Sequence, residues 1–156
     1  MSNEKDKKLD EFHLAAWRSF LNAHASVIEL IEREMASAHQ LPLSSYDVLV
    51  ALSEAPDRRL RMHELASRVV LSRSGLTRLV DRLEEQGMLA RERITTDRRG
   101  ASAILTEKGL ATLRAAWPVY AGGIKQYFTD LLSDEEVTVL TGALSRIDAK
   151  ARENLT

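Results

Sequence analysis

Leu71-Ser72-Arg73-Ser74-Gly75-Leu76-Thr77-Arg78-Leu79-Val80-Asp81-Arg82-Leu83-Glu84-Glu85-Gln86-Gly87 is the stretch on which the fold turns. At helical spacing Leu76, Leu79, Val80 and Leu83 fall on one face, which predicts a half-buried helix from Arg73 to Gln86. Arg73, Ser74, Thr77, Arg78, Asp81 and Arg82 are then wholly or partly outward. The charge is graded, with Arg73 and Arg78 early and Glu84 and Glu85 late. Carboxylates repel phosphate, so only the first two turns suit a DNA major groove, which recognition helices enter N-terminal end first. Ser72 suits an N-cap and would aim the helix terminus at a phosphate. Thr77 offers a hydroxyl in the same outward row. Gly75 costs a helix about 0.5–1 kcal/mol relative to Ala, which points to a close approach there. Gly87 is a natural C-cap.

Working outward, a short helix from about Met62 to Val69 precedes this one across a tight turn. Two β-type runs follow it, Leu89 to Ile94 and Ala101 to Leu105, around the polar turn Thr95-Thr96-Asp97-Arg98-Arg99-Gly100. Upstream, Ser44 and Asp47 read as the N-cap and N3 of a capping box opening a helix to about Ser53. Helix, short helix, turn, helix and hairpin in that order are the signature of a winged helix-turn-helix, here residues 44–106. Arg98 and Arg99 at the hairpin tip suit phosphate or the negative potential of a minor groove. Asp97 is poor for DNA contact and better suited to supporting the wing. Against this stands the plainer possibility that Arg78 and Arg82 pair with Asp81, Glu85 or Glu64 on the surface.

The flanks read as a helical scaffold, residues 9–40 and 107–155. Leu9 to about Ala38 is one helix of roughly 45 Å with two apolar stripes, one through Leu9, Phe12, Ala16, Phe20, Ala23, Val27 and Leu30, the other through Leu14, Trp17, Leu21, Ile28, Ile31 and Met35. One stripe suffices to pack on a core, so two predict a further partner surface. Thr106 caps a second long helix, in which Pro118 and Gly122-Gly123 predict a kink or a break. Ser133-Asp134-Glu135-Glu136 is a capping box opening a last helix with Val137, Leu140, Leu144, Ile147 and Ala151 at coiled-coil-like spacing. The fold class is therefore mainly α with a small β-hairpin wing, in one unit over 1–156. A homodimer joined by the first and last helices is expected.

Charge and composition agree. The chain of 156 residues has a net charge of −1, yet Arg58 to Arg99 holds eleven arginines, no lysine and six acids, net +5. A basic middle between acidic flanks is the footprint of a nucleic-acid surface, and arginine suits forked contacts to phosphate and guanine. With no cysteine, disulfides and thiolate metal ligands are excluded. No run approaches the roughly 18 apolar residues that span a bilayer, and Met1 to Asp10 is too polar for a signal peptide. A cytoplasmic protein without membrane contact is expected. Glycine-rich phosphate loops, G-x-S-x-G and H-E-x-x-H are absent, so no enzyme and no cofactor are expected. Of His13, His24, His39 and His63, the first two share a helix face but stand roughly 16 Å apart, too far for one metal.

Glu64-Leu65-Ala66 followed by Leu71 to Glu84, Gly87-Met88-Leu89, Asp97-Arg98-Arg99 and Leu105-Thr106-Glu107-Lys108-Gly109 resembles the MarR family of bacterial regulators over nearly the whole chain. Two departures are Val70, in a turn where glycine is common, and the lack of a good N-cap before Met62. The resemblance implies a dimeric, sequence-specific regulator of transcription on double-stranded DNA, read by Ser72, Arg73, Ser74, Thr77, Arg78, Arg98 and Arg99. It also implies a small, often aromatic and anionic, effector in a cleft, for which Trp17, Tyr46, Asp47 and Trp117 are candidates. The plainer reading makes both tryptophans core and Asp47 a helix cap. Two alternatives stay open: a winged helix that binds proteins, and a metal-sensing regulator of the same fold.

Overall fold

The computed structural model describes residues 9–69, 71, 73–93 and 100–155, and of Arg73 the backbone alone. They form α1 (Glu11–Ser37), α2 (Leu43–Ser53), β1 (Arg59–Arg61), α3 (Met62–Arg68), α4 (Arg73–Glu85), β2 (Leu89–Arg93), β3 (Ala101–Leu105), α5 (Glu107–Tyr127) and α6 (Asp134–Glu153). Two units divide the chain: Glu32–Ala121, and Met1–Ile31 with Gly122–Thr156.

In the first, α2 is the core. Leu43, Tyr46, Val48, Leu49, Ala51 and Leu52 are all buried, so the helix is apolar on nearly every side. The capping box expected at Ser44 does not form. The N-cap lies two residues earlier, at Pro42, and makes no side-chain hydrogen bond to the helix. The Leu43 amide instead donates to Glu32 Oε1 (3.1 Å), a carboxylate at a helix N-terminus where the dipole favours it. A similar substitution solves the start of α3: the Arg61 amide donates to Glu64 Oε2 (2.8 Å), so the missing N-cap hydroxyl is not needed.

Arg59–Arg61 forms a strand that the sequence pattern does not announce. It is three residues long, with only Leu60 buried. It makes the sheet three-stranded and antiparallel in the order β1-β3-β2, with Leu60 opposite Ala103 and Leu89 opposite Leu105. α4 ends as its glycine requires. Gly87 sits at φ 73°, its amide donates to Glu84 O (2.8 Å) and the Met88 amide to Leu83 O (2.9 Å), the paired bonds of a Schellman motif.

α5 starts at the cap expected of Thr106, whose Oγ1 accepts from the Gly109 amide (3.0 Å). The Thr106 hydroxyl also donates to Gly87 O (2.7 Å), and Lys108 Nζ donates to Gln86 O (2.6 Å). The end of α4 is thus tied to the beginning of α5. Of the kink or break expected in α5 the break does not occur, since the helix runs 21 residues through Pro118.

In the second unit, Gly123 has a packing reason: a Cβ there would stand 2.9 Å from Ile31 Cγ1. α6 opens with the capping box read from Ser133, the Ser133 amide donating to Glu136 Oε2 (2.8 Å) and the Glu136 amide to Ser133 Oγ (3.3 Å). α6 buries none of its residues, and Ile31 is the one buried apolar side chain among the described residues of this unit.

Candidate nucleic-acid interface and aromatic groove

α4 is held by the apolar face that its spacing predicts. Leu76, Leu79, Val80 and Leu83 are all within 3% of full burial. That anchoring leaves Ser74, Thr77, Arg78 and Arg82 exposed on the other side. Among the described residues no carboxylate pairs with Arg78 or Arg82; the surface ion pairs weighed for them do not form. Ser72, Asp97, Arg98 and Arg99 lie outside the described residues, as does the side chain of Arg73.

Two of the three acids of α4, Asp81 and Glu84, are taken up by the wing, while Glu85 stays exposed at the far end of the helix. Arg91 on β2 reaches back, its guanidinium 2.7 Å from Asp81 Oδ1 and 2.6 Å from Glu84 Oε2. One fork neutralises both carboxylates and fastens the wing strand to the helix, and those bonds raise the Arg91 pKa further. Two more ion pairs brace the sheet, Arg59 with Glu92 and Arg58 with Glu107 (2.6 Å). The first two turns of α4 therefore present the hydroxyls of Ser74 and Thr77 and the guanidinium of Arg78, while Asp81 and Glu84 behind them are paired. The role of Arg91 was not readable from sequence, because a charge inside a strand carries no mark of which helix it crosses.

Between α2 and α5 lies an open groove of about 490 Å³, lined by Tyr46, Asp47, Val50, Ser53, Glu54, Leu113, Arg114, Trp117 and Tyr120. Three of the four effector candidates, Tyr46, Asp47 and Trp117, meet here. Trp17 is not among the lining residues; it stands on α1, 56% exposed, beside Phe20. Neither tryptophan is core, since Trp117 is 53% exposed. Tyr120 joins the site unforeseen, edge-on to Tyr46 with ring centroids 4.7 Å apart and 6.3 Å from Trp117. Its signal was present in the row Leu113, Trp117, Tyr120, which reads equally well as core. Asp47, freed from capping, has its pKa raised, first by loss of water and then by the charge of Glu32. Burial also raises the pKa values of Tyr46 and Tyr120, keeping both hydroxyls neutral. No group of three or more metal-ligating side chains gathers among the described residues, and none of their helices is long and apolar enough to cross a membrane.

A helix-turn-helix carried with a three-stranded antiparallel sheet, its second helix outward and cationic at its start, defines a winged-helix DNA-binding protein. The chain belongs to the MarR family of transcription regulators, whose model matches residues 39–100. It is 32% identical to the HTH-type transcriptional regulator MhqR of Bacillus subtilis over 115 residues, 74% of this chain and 77% of that one. Two crystal structures from Streptomyces coelicolor are similar throughout. AbsC, a MarR family transcriptional regulator, superposes with a TM-score of 0.84 at 33% identity, covering 94% of this chain and 99% of that one. Sco3205, a regulator of the same family solved in complex with DNA, gives 0.85 at 35% identity, covering 96% and 92%.

Proposed function

We propose that the chain acts as a homodimer on a pseudo-palindromic operator, with 9–40 and 107–155 as the dimerisation region and 44–106 as the DNA-reading lobe. Ser74, Thr77 and Arg78, with Ser72 and Arg73 ahead of them, meet base edges and phosphates of the major groove. Arg98 and Arg99 reach the flanking minor groove, with Asp97 supporting the turn. The observation that carries this reading is the masking of Asp81 and Glu84 by Arg91, which leaves the cationic start of α4 as the surface a polyanion meets. The similarity to Sco3205, solved on DNA, supports it. Two-fold protein symmetry is mirrored in the DNA, so the half-sites stand about one helical turn, ~10 bp, apart.

A small aromatic effector in the Tyr46–Tyr120 groove modulates this binding. The support is that α5 supplies one wall of the groove through Leu113, Arg114, Trp117 and Tyr120, and through Thr106 and Lys108 also holds the end of α4. An effector that shifts α5 acts on the reading helix through those bonds.

The test compares operator and scrambled duplexes over a salt series. Arg73→Ala and Arg78→Ala lose about 1–3 kcal/mol on the operator and relax preference at particular bases. Arg99→Ala weakens both duplexes more evenly and flattens the salt slope by about one unit. Equal losses on both duplexes for the α4 variants, with base preference erased by Arg99→Ala, would reverse the two assignments.

A further inference from the structure

The electrostatics of the groove set the kind of ligand it favours. Tyr46, Trp117 and Tyr120 give it aromatic walls, and its charged lining residues are Asp47, Glu54 and Arg114. Asp47 and Glu54 stand seven residues apart, two turns along one face of α2 and about 10 Å from each other. Among the described residues, neither carboxylate accepts a hydrogen bond or an ion pair. A third carboxylate, Glu32, lies near enough to burden Asp47 with its charge, while its own oxygen holds the Leu43 amide. Three carboxylates thus face or flank the groove against one guanidinium.

We propose that the groove binds a small aromatic cation: a planar ring carrying an ammonium or amidinium group, the ring among Tyr46, Trp117 and Tyr120 and the cation on Asp47. This rests on the effector reading above and gives its ligand the charge opposite to the one the family resemblance implies. The faces of aromatic rings attract cations, most strongly where water is partly withdrawn. The same withdrawal strengthens an ion pair with Asp47, and the bound cation offsets the repulsion between Asp47 and Glu32. An anion of the same size gains Arg114 alone and meets the carboxylates of Asp47 and Glu54. A volume of about 490 Å³ suits one small molecule, since ligand pockets commonly run roughly 300–1,000 Å³.

The experiment uses the full chain carrying Trp17→Phe, so that Trp117 is the remaining indole of the two. Benzyltrimethylammonium and benzoate, a ring with opposite charges, are titrated against its fluorescence. The ammonium quenches Trp117 saturably and binds tighter than benzoate, and Asp47→Asn weakens it about tenfold. Arg114→Met leaves its affinity unchanged or higher. Circular dichroism checks each variant, and Glu54→Gln carries the same test if Asp47→Asn does not fold. Tighter binding of benzoate, abolished by Arg114→Met, overturns the charge assignment and leaves the effector reading standing. Saturable binding of neither probe overturns both.

Discussion

Gly109 has no side chain, and the end of α4 depends on that. A Cβ there would stand 2.0 Å from the Met88 carbonyl oxygen and 2.7 Å from Leu105 Cδ1, and a backbone carbonyl cannot swing aside as a side chain can. Gly109→Ala therefore destabilises the protein by roughly 1–3 kcal/mol despite the better helix propensity of Ala, read as a lower thermal midpoint. Asp47 behaves oppositely. Its folded pKa lies above the usual 3.8, so the folded state holds that proton more tightly than the unfolded one. The stability this gives is present below the usual value and is lost as pH rises through the folded one. At pH 7 the ionised carboxylate weighs against folding, though only slightly, because Asp47 is exposed and water screens it. Asp47→Asn raises the thermal midpoint there, and the gain shrinks as the buffer approaches the usual carboxylate value; a midpoint indifferent to pH would contradict this. Residue roles set by neighbours in sequence were legible, as at Gly87, Thr106 and Ser133. Those set by distant partners were not: Glu32, eleven residues before Leu43, takes the start of α2 in place of Ser44, and the duty assigned to Asp47 went with it.

Helix α4 and strand β2 work as a pair because Arg91 joins them. Exposed ion pairs contribute little to stability, typically about 0–1 kcal/mol, and Arg91 is a third exposed with partners rather more so. Arg91→Ala therefore leaves the thermal midpoint nearly unchanged. DNA affinity falls about tenfold on any sequence, because two bared carboxylates then face phosphate. Arg91→Lys, which keeps the charge and loses the fork, falls between. Fluorescence anisotropy with labelled duplexes separates the three proteins. Periodicity made α4 and β3 legible, since each carries an apolar face long enough to declare its repeat, whereas β2, which buries Leu89 alone, was marked by its place between Gly87 and the polar turn. In β1, Leu60 alone faces the core, and one buried residue has no period.

At the scale of the molecule, the unit built from the first and last helices is short of a core. Phe12 is 83% exposed, Val139 72% and Ile147 64%, apolar surface that water disfavours and a second copy would cover. The full chain is accordingly expected to sediment as a dimer. Removal of residues 134–156, or the milder Ile147→Asp, shifts it to monomer and abolishes tight operator binding. An unchanged sedimentation coefficient would place the interface elsewhere. The doubled stripe on α1 made its exposed apolar surface legible in the sequence, but apolar spacing does not say what fills it.

The position of β3 between β1 and β2 also orders events in time. Leu89 and Leu105 pair across a short hairpin, whereas Leu60 must find Ala103 with α3 and α4 held in the intervening chain. Closing the longer loop carries the larger entropic cost, so the hairpin is expected to zip before the Arg59–Arg61 strand joins. Run backwards, the same ordering makes that strand the first to peel. Helix α3 would then slacken at its entry while the hairpin and its Arg91 fork still grip α4, leaving the reading helix among the last parts of its lobe to let go.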